Sequence, residues 1–346
     1  MKVAFYRHSL LNRGGDKMVI TYANYLAEKG HEVEIWTNIL DTKFKISTKV
    51  NINLIPLPGK IGTILWALCC PITADLVVAD IIVMALVLSF FNRNRVIYFA
   101  QDYDVSYYPD RLRKKLIGFI YRVGLSVLKI PCVSVSYSLG QELTTYCNSV
   151  KVIQNGIDFD VFYPERTPAL LATKKGRRSV LVFGRKDPRK GLDIALEVIR
   201  ALSDKVEREA LQIWVVGDII EGNSTYCDVW NFGCVDEDNL RKILSCADVF
   251  LYPSRHEGLP LFVLEALACE CPIVTTKAVG ILTHLKEAWV SKIEDVNSLE
   301  EGLLCVLFEC SRRIFVRKGK CLVRRYSVIE ACSRFEKFVV GYANRY

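Results

Sequence analysis

The chain has 346 residues, 51% of them hydrophobic and 24% charged, with a formal net charge of +8. Such a length suggests two domains of ordinary size, and the hydrophobic share excludes a disordered chain. Thirteen cysteines without a C-x-x-C pair, and four histidines scattered at positions 8, 31, 256 and 284, give a zinc site little support; reduced, mostly buried thiols are expected.

Val3–Tyr6 reads as a short buried strand leading into a loop with Gly14 and Gly15. A helix follows from about Asp16 to Lys29, on which Val19, Ala23, Leu26 and Ala27 fall at helical spacing. Gly30 ends it as a left-handed cap requires, and Val33–Thr37 is the next strand. This order puts the glycine loop at the carboxyl end of the first strand, where open α/β sheets bind ligands. The two glycines let backbone N–H groups approach a phosphate or an acceptor; a plain tight turn accounts for the pair equally well, and G-x-G-x-x-G is absent. The first residues, MKVAFYRHSLLNRGG, run from strand into polar loop, so no signal peptide is expected.

Further α/β alternation is expected as strand Asn53–Pro56, helix 61–70, strand Leu76–Ala79, helix 81–91 and strand Val96–Ala100. Asp75 and Asp80 cut the apolar stretch 61–91 into runs of 14 and 11 residues, whereas a membrane span needs about 20. A basic helix at about 110–129 carries Arg111, Arg113, Lys114, Lys115, Arg122 and Lys129, and residues 311–325 hold seven Lys or Arg and no acid. A solvated helix face and contact with an anionic membrane or acidic acceptor fit these runs equally. Nucleic acid is not an expected partner, because no aromatic-basic interleaving accompanies the charge. Strand Cys132–Val135, a helix from Ser136 and strand Lys151–Gln154 lead to a turn at Asn155-Gly156-Ile157-Asp158, and 165–178 reads as an unpatterned linker.

The alternation restarts at Ser179–Phe183. In the loop from Gly184 to Gly191, Arg185 and Lys190 supply a planar guanidinium fork and a point ammonium at a strand's carboxyl end, which is what a diphosphate needs. Strand Leu211–Gly217 with Asp218, the segment Phe232-Gly233, helix 237–246 and strand Asp248–Tyr252 follow. In the next stretch, Glu257-Gly258 precedes a helix begun by Leu259-Pro260, with proline at its first position, then Leu261 and, inside it, Glu265. Helix side chains lean towards the N-terminus, so both carboxylates can reach one ligand at the helix start, where free backbone N–H groups favour an anion. The last segment sets Val328, Ala331, Cys332, Phe335, Phe338, Val339 and Tyr342 on one wide apolar helix face.

These motifs together (P-S-x-x-E-G-x-P, L-E-A-x-A and the Pro-Ile-Val strand within 253–276, G-R-x4-K-G at 184–191, V-G-D at 216–218, N-G-I-D-x-x-x-F-x-P at 155–164) resemble the signature of the GT4 family of retaining glycosyltransferases. The resemblance implies an α/β protein of GT-B architecture: two Rossmann-like α/β/α domains facing a cleft, with the last helix crossing back to the first domain. It divides the chain into an acceptor-side domain 1–164 with helix 328–346, a linker 165–178 and a nucleotide-sugar-binding domain 179–327. It implies a metal-independent hexosyl-type transferase acting on a nucleotide-diphosphate-sugar co-substrate, with no other cofactor, and a glycan or lipid-linked acceptor, in cell-surface polysaccharide or glycoconjugate synthesis. By the same resemblance, Arg185 and Lys190 bind the donor diphosphate and stabilise its departing charge. Glu257 orients the sugar or its phosphates and Glu265 the ribose hydroxyls. Gly184, Gly217, Asp218, Phe232, Gly233, Gly258, Leu259, Pro260 and Leu261 line the donor, and Gly14, Gly15, Gln101, Asp102 and Asn155 face the acceptor and sugar. A cytoplasmic protein, peripheral on the inner face of the membrane, is expected.

The pattern also departs from the family. Gln101-Asp102-Tyr103-Asp104 stands where many members have a histidine, Glu270 replaces the usual glycine, and the G-G-x-x-E that often follows is reduced to Val279-Gly280-Ile281. Asp102 and Asp104 match the D-x-D of metal-dependent GT-A transferases, but Asp158/Asp160 and Asp236/Asp238 match it equally, and no metal is expected. A GT-B-fold nucleotide-sugar 2-epimerase and a non-catalytic sugar-nucleotide-binding protein are the alternatives.

Overall fold

The structure is a computed structural model that describes residues 1–69, 72–92, 94–207, 210–219, 227–309 and 311–345. The chain forms two compact units, Met1–Asn155 with Val328–Tyr346, and Gly156–Ser327.

The first unit is built on β1 (Lys2–Tyr6), β3 (Glu32–Thr37), β5 (Val50–Leu54), β6 (Leu76–Ala79), β7 (Val96–Ala100), β8 (Cys132–Ser134) and β9 (Lys151–Val152). They form one all-parallel sheet in the order β5-β3-β1-β6-β7-β8-β9, while β2 (Ser9–Leu10) and β4 (Ile39–Leu40) pair separately. Central strands of such a sheet are covered on both faces and so read as unbroken apolar runs: Val3 to Tyr6, Leu76 to Ala79 and Val96 to Ala100 are all buried. The chain steps from β1 outward to β5, then returns to β6 on the other side of β1, so the topological switch lies between β1 and β6. The crossovers are α1 (Gly14–Glu28), α2 (Gly59–Cys69), α3 (Ile82–Ser89), α4 (Arg111–Tyr121) and α5 (Tyr137–Leu143). Gly30, at φ +88°, ends α1 in the left-handed region.

The second unit repeats the plan with β10 (Arg178–Gly184), β11 (Leu211–Gly217), β12 (Asp228–Gly233), β13 (Val249–Tyr252), β14 (Ile273–Thr276) and β15 (Trp289–Ser291), all parallel, in the order β12-β11-β10-β13-β14-β15. Its switch therefore lies between β10 and β13. Its helices are α6 (Pro168–Thr173), α7 (Leu192–Ser203), α8 (Glu237–Cys246), α9 (Leu261–Ala268), α10 (Val296–Phe308) and α11 (Arg312–Val323). Val180, Val182, Val198, Leu202, Ile213, Leu251 and Leu303 form the centre of its core. The last helix, α12 (Val328–Ala343), belongs to the first unit, where the ring of fully buried Phe335 lies 4.4 Å from Tyr22, 5.4 Å from Phe99 and 6.3 Å from Phe5.

Several boundaries differ from the sequence reading. The strand expected at 53–56 is β5, ending at Leu54, and the helix expected over 61–70 runs Gly59–Cys69, residue 70 lying outside the described residues. Gly14 and Gly15 are the first turn of α1 rather than a loop before it. The basic helix at 110–129 is α4 followed by a π-helical turn, Arg122–Val127, at Gly124. Pro260 is the N-cap of α9, one place earlier than the N1 position expected. The segment 156–178 packs within the second unit, where Pro168 starts α6, Lys174 pairs with Asp248 at 2.7 Å and Arg241 binds Glu165 at 2.6 Å. These buried ion pairs give 165–178 tertiary partners that a linker lacks. Among the described residues, no helix is long and apolar enough to cross a membrane.

Candidate active site

In a parallel sheet every strand ends at the same edge, and ligands bind there, outside the switch point. In the second unit that edge carries Gly184 on β10, Gly217 on β11, Gly233 on β12 and Tyr252 on β13. Gly184 and Gly217 face each other in register, too close for side chains: a Cβ on Gly184 would lie 2.2 Å from the Asp218 carbonyl oxygen, and one on Gly217, at φ +110°, 2.5 Å from that of Gly184. Asp218 N–H donates to the Gly184 carbonyl, and Lys186 N–H to Asp218 Oδ2 at 3.3 Å, which holds the Arg185-Lys186 turn over the ends of both strands.

The loop then makes a 3-10 turn, Pro188–Lys190, capped by Asp187. Burial pushes the Asp187 carboxyl up, but the Arg189 guanidinium, bonded to it at 3.1 and 2.7 Å, outweighs burial and holds it below the usual range. Gly191 must be glycine: at φ +69° it lies against the next loop, and a Cβ would sit 2.0 Å from the Pro253 carbonyl oxygen. That second loop is stitched to the first by Arg255 N–H and Ser254 Oγ–H, both donating to the Arg189 carbonyl at 2.7 and 2.9 Å. Arg255 adds a bidentate pair with Asp193 at 2.9 and 2.7 Å and a bond to Glu294 at 2.7 Å.

The two loops meet at Lys190 and Glu257. Lys190 Nζ donates to Glu257 Oε1 at 2.8 Å and Oε2 at 2.9 Å, while Oε1 also accepts from the Tyr252 and Ser254 hydroxyls, each at 2.7 Å. Oε1 is thus saturated. Glu257, read from the sequence as a sugar- or phosphate-orienting group, is here the partner that fixes Lys190 at the β10–β13 switch. The ammonium has three N–H donors and directs two at Glu257, leaving the third for a ligand. Arg185, half-buried at the end of β10, forms no ion pair among the described residues. Gly258, Leu259 and Pro260 lead into α9, whose Leu261 and buried Glu265 follow within its first five residues. Phe232 stacks edge-on against buried Trp214 at 5.4 Å, and Gly233 turns at φ +68° beside it.

The switch point of the first unit carries a different set, of which the sequence reading named only Gly15 and Gln101. Arg7, just past β1, pairs with Asp16 and, at 3.2 Å, with Asp80, which follows β6. Gln101, just past β7, donates to the Gly15 carbonyl and to Asp80 Oδ2, both at 3.1 Å. Burial pushes the Asp16 carboxyl above its ordinary value despite Arg7. Gly15 has the Gln101 amide 3.2 Å from where a Cβ would be. Asp102 accepts from its neighbour Tyr103 N–H at 2.9 Å, and buried Asn155 accepts from the Tyr22 hydroxyl at 2.9 Å. The three D-x-D matches serve the fold: Asp104 accepts from the Ile82 N–H at the start of α3, Asp158 from the Asp160 N–H, and Asp236 caps α8. Among the described residues no cluster of His, Cys, Asp and Glu could hold a metal ion.

Two all-parallel α/β units, each with a charged switch point and with the final helix returned to the first, define a protein of the GT-B class, and solved structures bear this out. Sucrose-phosphate synthase from Thermosynechococcus elongatus superposes with a TM-score of 0.81 at 15% identity over 100% of both chains. HepE of Anabaena, solved with UDP-glucose, gives 0.76 at 15% identity over 99% of this chain and 100% of that one. The family profile described as glycosyl transferases group 1 matches residues 177–308, which contain the Lys190–Glu257 site. The likeness to group 1 glycosyltransferases thus falls on the second unit. An uncharacterized glycosyltransferase of Methanocaldococcus jannaschii is 28% identical over 174 residues, 44% of each chain. The match thus spans less than half the length of the curated relatives.

Proposed function

We propose that the protein is a retaining glycosyltransferase that moves a sugar from a nucleotide-diphosphate-sugar to a glycan or lipid-linked acceptor in polysaccharide or glycoconjugate synthesis, on the cytoplasmic side of a membrane and without a metal. The observation that carries this reading is Lys190, fixed by Glu257 at the switch point of the second unit, with Arg185 on the same loop and in no ion pair among the described residues. A departing diphosphate needs charge placed before the bond breaks, and each well-aimed donor in such a site contributes roughly 3–4 kcal/mol to the transition state. Lys190 and Arg185 supply that charge to the leaving oxygen. Glu257 keeps the ammonium in place, Glu265 takes the ribose hydroxyls, and the amides at the start of α9 take a phosphate oxygen. The UDP-glucose held by HepE supports a nucleotide-sugar as the donor class.

A thermal-shift panel of UDP, GDP, dTDP and ADP, with and without Mn²⁺, tests the reading. Ligand at about 100 times its dissociation constant adds roughly 2.7 kcal/mol of stability. One nucleotide shifting the melt without Mn²⁺, followed by sugar transfer with retained anomeric configuration, is the expected outcome. No shift with any of the four removes the proposal, strict dependence on Mn²⁺ removes the metal-free mechanism, and epimerisation of the donor without acceptor assigns the fold to the epimerase alternative.

A further inference from the structure

We infer that the outward face of α4 docks on an anionic lipid bilayer and holds the acceptor-side loop of the first unit at its surface. The helix buries Ile117 and Tyr121 against its own unit. On the opposite side, at i, i+4 and i+7, Leu112, Leu116 and Phe119 are 79%, 56% and 63% exposed. A row of three large apolar side chains facing water is costly unless something covers it.

Charge identifies the cover. Arg111, Lys115 and Arg122 lie along one flank of the apolar row, and among the described residues neither they nor Lys114 forms an ion pair. Asp110 caps the helix and neutralises Arg113 at 3.5 Å. Lys114, Lys115 and Arg122 line a hollow of about 440 Å³ with Gly118, Phe119 and Tyr146. Cations surrounding a hollow beside an apolar row suit a lipid phosphate at the headgroup level, with Leu112, Leu116 and Phe119 in the acyl boundary below.

The same helix grips the loop that follows β7. Asp104 N–H donates to the Tyr121 hydroxyl at 3.1 Å, Tyr103 stacks on Tyr121 at 5.7 Å, and the Tyr103 and Tyr146 hydroxyls bond at 2.8 Å. Resting on the functional reading above, which assigns Gln101 and Asp102 to the acceptor side, this coupling selects the lipid-linked acceptor over a free glycan.

Cosedimentation of the full chain with vesicles tests this, using phosphatidylcholine alone and phosphatidylcholine with about 30% phosphatidylglycerol. Binding only to the anionic vesicles, weakened at about 0.5 M salt, is expected. Lys115→Gln/Arg122→Gln should weaken it about thirtyfold, and Leu116→Ser/Phe119→Ser should also release the protein, both with unchanged melting temperature and nucleotide shift. No binding to anionic vesicles, equal binding by these variants, or a dimer in sedimentation that Phe119→Ser dissolves would overturn the inference. Vesicle binding without any nucleotide shift would leave the docking face standing and remove the glycosyltransferase reading.

Discussion

The two switch points are built alike but commit their cations differently. At the β1–β6 edge one cation, Arg7, is enclosed by two carboxylates, Asp16 and Asp80, and its side chain is 12% exposed. At the β10–β13 edge Lys190 is held by Glu257 with one N–H unspent, and Arg185 forms no ion pair among the described residues. The first arrangement is self-satisfied and holds the start of α1 in place; the second leaves donor capacity on Lys190 for a ligand. On the proposed function the diphosphate takes the second unit, and the neutral sugar or acceptor takes the glycine turn of the first, which Arg7 and Gln101 support through the Gly15 carbonyl.

The largest effect is expected at Gly191. Gly191→Ala adds a methyl group 2.0 Å from a backbone oxygen at a left-handed φ, so the second unit should lose more than about 4 kcal/mol. Hydrogen exchange should show this loss across residues 180–276 and leave 1–155 protected. Next comes Arg7→Met, which leaves Asp16 and Asp80 facing each other without a counter-charge. Breaking such a buried pair costs about 3 kcal/mol, and exchange should now rise in the first unit around β1, β6 and the start of α1. If both variants loosened both units equally, the units would not be independently built.

The smallest effect separates the units by pH. The Asp16 carboxyl titrates above its ordinary value of 3.8, so the folded first unit binds more protons there, and its stability falls as pH rises from that value through the folded pKa. Asp187 titrates below 3.8, so its contribution is complete above that value and is lost as pH falls through the folded pKa. Urea midpoints of the two units, followed by limited proteolysis between pH 3 and 6, should carry contributions of opposite slope. Asp16→Asn should flatten the first and Asp187→Asn the second.

What the sequence revealed follows this contrast. The residues proposed for phosphate chemistry in the second unit lie in two continuous stretches, 184–191 and 253–265, so they stand out as motifs before any fold is known. The partnership of Lys190 with Glu257, 67 positions apart, could not be read, because both were seen as facing a ligand rather than each other. The set in the first unit comes from positions 7, 16, 80 and 101, one residue from each of four separate elements, and no spacing rule joins them. A signal was present: Arg7, Asp80 and Gln101 each come directly after a buried apolar run, Val3–Tyr6, Leu76–Ala79 and Val96–Ala100, and in a parallel sheet all such positions share one edge. Similarly, the exposed row on α4 was hidden by its basic neighbours until the structure showed which side of the helix is buried.

The direct test of the central claim is the affinity of the nucleoside diphosphate that shifts the melt, measured by calorimetry for the wild-type chain, Lys190→Ala and Gln101→Ala. Affinity should fall at least about tenfold for Lys190→Ala, as loss of one charge-assisted hydrogen bond implies, and stay unchanged for Gln101→Ala. Full affinity in Lys190→Ala, or its loss in Gln101→Ala, would contradict the assignment of the donor to the second unit.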